Sequence, residues 1–151
     1  IMESGDDRVC MQVKQLSNLI QRKFFQSEVK RKVDTMTFSH GWMIGYLYEN
    51  KDRCVLQSEL EKEFNIRRST ITTMLQSMEK NGLIERIPVK DDARKKQLVL
   101  TPKALKIHML VEGELDRTEK KLRNGINKKD LDTFFMVVNK MKSNLEDKEL
   151  W

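Results

Sequence analysis

The chain is 151 residues long, 38% hydrophobic and 34% charged, with 29 Lys and Arg against 23 Asp and Glu for a net charge of +6. That balance fits one helical domain whose helices each keep a wet face, large enough to bury a core without disulfide or metal staples. Apolar runs fall far short of the roughly 20 residues a bilayer requires, and no basic-then-apolar leader opens the chain, so no membrane partner and a cytoplasmic location are expected.

From Arg8 to Lys32 the apolar Val9, Val13, Leu16, Ile20 and Phe24 recur every three or four positions, which predicts a long helix burying one face. Ser39 is the expected N-cap of a second helix carrying Trp42, Met43, Tyr46 and Leu47 and ending near Asn50. Ser58 and Glu61 have capping-box spacing and predict a short helix to Phe64, with a start near Leu56 as the alternative. Beyond a turn at Asn65, Ile71, Met74, Leu75 and Met78 form one stripe, while Ser69, Thr72, Thr73, Gln76 and Lys80 share the opposite face. Gly82 is the expected stop. Leu83 to Val89 and Gln97 to Thr101 read as strands, with Lys90 to Lys96 as a charged turn between them. Thr101 and Pro102 open a further helix, with Ala104, His108, Val111, Leu115, Thr118 and Leu122 on one face, stopping near Gly125. Asn127 and Asp130 start a last helix, in which Leu131, Phe134, Phe135, Val138, Met141 and Leu145 make another stripe expected to be buried.

The middle of the chain thus runs short helix, turn, helix, strand, charged turn, strand, which is the order of a winged helix-turn-helix. The fold class expected is mainly α with a small β-hairpin wing and long terminal helices. The second helix of that motif carries side chains suited to a major groove. Ser69, Thr70, Thr72, Thr73 and Gln76 reach base edges or phosphates without bulk, and Arg67 and Arg68 stand at its N-terminal end, where the helix dipole also favours phosphate. In the wing, Lys90, Arg94, Lys95 and Lys96 suit a phosphate backbone. Arg94 is the candidate for a narrow minor groove, with Asp92 placed to pair with it. Positions 67 to 96 hold eight basic and four acidic side chains, so most of the net charge lies here. The partner expected is double-stranded DNA.

Residues 37 to 101 resemble the MarR family of regulators. Met78-Glu79-Lys80-Asn81-Gly82-Leu83 matches the phrase that ends the family's recognition helix, and Asp92-Ala93-Arg94 followed by Leu98-Val99-Leu100-Thr101 matches its wing. The resemblance implies one domain over 1–151, with 37–101 as the DNA-binding part and 8–36 and 102–147 as dimerisation helices. It also implies a sequence-specific transcriptional regulator, acting as a homodimer on a pseudo-palindromic operator. The region near His40 is where relatives form a small-molecule crevice, so Phe24, Phe38, His40, Trp42 and Tyr46 are candidates for an effector pocket. Aromatics at helical spacing also pack in cores, and that alternative stays open.

Cys10 and Cys54 lack metal-ligand spacing, as do His40 and His108, so no metal site and no cofactor are expected. Cys10 lies where some relatives keep a peroxide-sensing thiol, and a buried inert thiol is the reading preferred here. No nucleophile with its base, carboxylate pair or phosphate-cradling glycine loop is evident, so catalysis is not expected. The competing reading is a winged-helix protein-interaction module without DNA binding. It requires an apolar outward face on the second helix of the motif, against which the hydroxyls and Gln76 argue.

Overall fold

A computed structural model of the chain describes residues 8–26, 31 and 38–150. Helix α1 spans Val9–Phe25, with Gln26 at its C-cap. It therefore ends before the expected Lys32; residues 27–30 and 32–37 lie outside the described residues. Helix α2 spans Phe38–Glu49, which puts Ser39 inside the first turn rather than at the cap. Its apolar residues lie nearly all round the helix, as befits one packed on several sides. Met43, Ile44 and Leu47 are buried, in one cluster with Phe24 of α1.

Helix α3 spans Gln57–Glu63 and helix α4 spans Arg68–Lys80. The alternative start near Leu56 is the one observed: Leu56 occupies the N-cap position, without a side-chain bond to the helix, and Ser58 does not cap it. Gln57, one turn before Glu61, donates to its carboxylate instead (3.2 Å). Both helices end in the same way. Asn65 (φ 50°) follows α3 and Gly82 (φ 70°) follows α4 in the left-handed region. The next amides, of Ile66 and Leu83, close back on the carbonyls of Glu61 and Met78. Asparagine tolerates that conformation and glycine has no Cβ to oppose it, so the turn of the motif and the exit into the wing are both written locally.

Strands β1 (Ile84–Val89) and β2 (Asp92–Leu100) form an antiparallel hairpin in register Ile84↔Leu100 to Pro88↔Lys96. The turn is tighter than the sequence suggests. Val89 pairs with Asp92, so Lys90 and Asp91 make the turn, and Ala93, Arg94 and Lys95 leave the ladder between that pair and Pro88↔Lys96. A charged run is read as turn on composition alone, yet a strand accepts charged residues on any face left to solvent. Leu56 adds a bridge to Gln97. The amide of Leu98 donates to the Val55 carbonyl (2.8 Å). The segment entering α3 is thereby fastened to the wing. Ile71, Leu75 and Met78 of α4 are buried in one core cluster with Leu60, Leu83, Ile84 and Leu98.

Helix α5 spans Pro102–Arg123. Thr101 caps it, accepting from the Ala104 amide (3.2 Å) while its hydroxyl donates to the Gly82 carbonyl. Helix α6 spans Lys128–Glu146 and is capped by Asn127, whose side chain accepts from the Asp130 amide (2.8 Å); a short 3-10 turn, Lys148–Leu150, follows. The chain falls into two compact units that divide between Asp116 and Arg117, within α5. In the first, Ala104, His108 and Val111 of α5 are buried. In the second, the single chain leaves the α6 stripe uncovered: no residue of α6 is buried, Phe134 is 50% exposed and Leu145 67%. The α1 stripe is covered only at its C-terminal end: Phe24 is buried and Ile20 half-buried, while Val9, Val13 and Leu16 are exposed, Val13 by 60%. Cys10 is exposed on that helix, so burial does not account for it. Among the described residues no helix is long and apolar enough to cross a membrane.

Candidate nucleic-acid interface and adjoining cleft

The 3.6-residue period of α4 sends Ile71, Leu75 and Met78 into the core, which forces Ser69, Thr70, Thr73 and Gln76 outward. Arg67 and Arg68 are exposed at its start. Arg67 is the N-cap in extended conformation and gives no side-chain cap, so the leading amides receive no acceptor from it. The Thr73 hydroxyl donates to the Ser69 carbonyl (3.1 Å), which leaves its oxygen outward as an acceptor. Gln76 is exposed and offers both a donor and an acceptor. Thr72 differs from its neighbours. It is half-buried, donates to the Arg68 carbonyl (2.7 Å) and accepts from Gln57 of α3 (2.8 Å), so its hydroxyl joins the two helices of the motif.

Lys90, Arg94, Lys95 and Lys96 are exposed on the wing. Asp92 does not act as the expected charge partner of the Arg94 guanidinium. Its carboxylate accepts from the Arg94 backbone amide (3.1 Å), the local bond by which an Asp shapes a turn. Arg94 is thus held by its backbone at the middle of the three residues that leave the ladder. Arg86, which sequence counting places among the basic residues of this region, is tied to Glu79 of α4 (2.9 Å).

The effector-pocket candidates are only partly brought together. Trp42 and Tyr46 line a cleft of about 300 Å³, with Phe64, Val111 and Leu115 as further apolar wall and His108 among the lining residues. Phe24 and His40 are buried away from that lining, and the side chain of Phe38 lies outside the described residues. His108 stacks on Tyr48, ring centroids 3.9 Å apart.

A polar junction joins the cleft to α3. The Tyr46 hydroxyl donates to the Glu59 carboxylate, and Arg53 grips the same carboxylate with both terminal nitrogens. Hydrogen bonds from Arg53 first and Tyr46 second hold the Glu59 carboxyl below the usual range for a glutamate. The Glu59 bond in turn pushes the Tyr46 phenol up, with burial adding to it. The sequence carries no local signal for this junction, because its three residues come from a helix, a loop and the next helix.

Comparison with known proteins agrees with this geometry. The sequence matches the MarR family over residues 34–95. The transcription regulator MarR from Oenococcus oeni PSU-1 is 31% identical, the match covering 90% of this chain and 99% of that one, with a TM-score of 0.75. MepR of S. aureus, solved as a complex with DNA, is 21% identical over 94% of this chain and 99% of its own, with a TM-score of 0.79. The heme sensor PefR from Streptococcus agalactiae, solved with heme, is 24% identical over 99% of both chains, with a TM-score of 0.66. Identity of 31% along nearly the full length of the Oenococcus protein, joined to a winged helix-turn-helix whose exposed helix is polar and whose wing is basic, makes this chain a member of the MarR family of transcription regulators.

Proposed function

We propose that the protein is a non-catalytic, sequence-specific double-stranded-DNA-binding regulator that acts as a homodimer on a pseudo-palindromic operator and is released by a small-molecule effector. The observation that carries this reading is the polar, solvent-facing side of α4, with Arg67 and Arg68 before it and Thr73 and Gln76 along it, while its apolar side is consumed by the core. In this reading α4 enters the major groove. Gln76 and Thr73 meet base edges, Ser69 and Thr70 with the two arginines meet phosphates, and the wing follows the backbone with Arg94 in the adjacent minor groove. Residues 37–101 are the DNA-reading part, and the helices within 8–36 and 102–147 supply the contact between copies. The solved complex of the S. aureus relative with DNA supports the mode of binding, and the heme-bound S. agalactiae relative supports an effector.

Selection of bound sequences from random duplex DNA at a stated salt concentration tests this. The expected product is a pseudo-palindrome with half-sites centred about 10 base pairs apart, one helical turn, as a two-fold dimer requires. Affinity should fall steeply with salt as both subunits release counterions. Failure to enrich any duplex even at low salt refutes the reading and favours a winged-helix protein-interaction module.

A further inference from the structure

The cleft between α2, α3 and α5 has a charge opposite to that of the molecule. In a chain of net charge +6, it is lined by Glu49, Glu63, Glu112 and Asp116, and neither Lys nor Arg is among its lining residues. Glu49 and Glu63 are the last residues of α2 and α3, so two helix C-termini reach the cleft and add the negative ends of their dipoles to the carboxylates. Glu112 and Asp116 are one turn apart on α5. His108, 5% exposed, is also among the lining residues; its ring stacks on Tyr48 and its Nε2 is 3.6 Å from Glu112, so the histidine is held beside that carboxylate.

Among the described residues, no three of His, Cys, Asp and Glu are grouped closely enough to hold a metal ion. The negative charge is spread along the cleft instead of converging on a point, and it faces the aromatic rings of Trp42, Tyr46 and Phe64. Aromatic faces attract cations whose charge is diffuse, and carboxylates at the rim add to that attraction. We propose that this cleft binds a hydrophobic organic cation, a quaternary ammonium or a cationic aromatic compound of one or two rings. This rests on the effector reading above and gives the effector its chemical class. A volume of about 300 Å³ accommodates a ligand of that size.

The test uses the 151-residue chain and three probes that share a benzyl group: benzyltrimethylammonium, its neutral isostere neopentylbenzene, and the anion phenylacetate. Binding is followed by protein NMR shifts of Trp42, with sodium chloride at matched concentration as the control for screening, and release by anisotropy of a labelled operator duplex. The cation should bind tightest and the anion weakest. Glu112→Gln with Asp116→Asn should weaken the cation by about tenfold and leave the neutral isostere unchanged, as expected for lost charge on a rim near aromatic rings. Both positions are exposed, so folding should survive, and Glu49→Gln is a second variant with the same expected direction. If the isostere or phenylacetate binds as tightly as the cation and releases DNA, the cation class is overturned while the effector reading stands. If the cation binds in the cleft and the carboxylate variants weaken it, but DNA affinity does not change, the class is upheld and the effector reading fails. Cation binding indifferent to all three substitutions, or no cation binding at millimolar concentration, overturns the site.

Discussion

Arg94 and Gln76 are both exposed polar side chains, yet they are held differently and should read DNA differently. Arg94 is carried out of the β ladder by a turn that Asp92 braces through the Arg94 amide, so its guanidinium starts from a fixed base. Replacing Arg94 with Ala should weaken binding most on duplexes whose flanking minor groove is narrow, where the electrostatic potential is deepest. Gln76 stands on a rigid helix, and a side chain that bonds both edges of a base loses specificity as well as affinity when truncated. Gln76→Ala should cost roughly 1 to 3 kcal/mol and relax preference at one position in each half-site. Competition binding across a panel of operator variants checks both. Unchanged affinity and preference in the two variants would remove these residues from the interface. Thr72 makes a useful contrast, since its hydroxyl is spent between Gln57 and the Arg68 carbonyl; its loss should be felt as stability before it is felt as recognition.

The helices of the DNA-reading motif are short, and α3 alone is too short to be stable in water. Its position comes from Leu60 in the core, from the Leu56 bridge to β2, and from the Glu59 junction with Arg53 and Tyr46. Because the Glu59 carboxyl is held below its ordinary value, its contribution to stability is fully present above the unfolded pKa of about 4.3 and is lost as pH falls through the folded one. The parent should therefore exceed Glu59→Gln in stability at neutral pH. Both partners are partly exposed, so the difference should be about 1 kcal/mol or less. It should close as the solution is taken well below pH 4, where both proteins carry a neutral side chain at this position. Urea midpoints at pH 7 and pH 3 check the sign, and a gap that widens in acid would show that the carboxylate does not stabilise the fold.

Two helices present apolar stripes that the single chain does not cover. On α1, Val9, Val13 and Leu16 are exposed, and on α6 Phe134 and Phe135 remain about half exposed while Leu131, Val138 and Met141 are half-buried. Contiguous apolar surface of that kind marks an interaction site or an aggregation hazard. The period of both stripes suits helix packing, and a closed two-fold contact lets the same patches satisfy each other. Phe134→Asp combined with Val138→Asp should convert the protein to a monomer and abolish operator binding together, while the winged motif, which contains neither residue, keeps its helical signal. Sedimentation at micromolar concentration and duplex binding on the same sample check this. A parent protein that sediments as a monomer with full operator affinity would refute the dimer.

Periodicity, caps and turn residues are properties of a few neighbouring positions, which is why so much of the chain was legible from its sequence. The apolar face of α4, the Asn127 cap and the Gly82 exit all sit where local chemistry demands them. The elements that shifted did so for tertiary reasons. The strand β2 begins at Asp92 because a ladder partner across the hairpin outweighs a charged composition, and α3 starts at Gln57 without its hydroxyl cap because the preceding Leu56 is bridged to the wing. The cleft was partly legible. Trp42 and Tyr46 stand out in the sequence as aromatics, but the carboxylates beside them arrive from three helices, and nothing in their sequence neighbourhood distinguishes Glu63 or Glu112 from any solvated acid. Patterns within a few residues are written in covalent order and can be read there. Which distant faces meet and which acids converge depends on how the helices pack, so the charge of the cleft had to come from the folded chain.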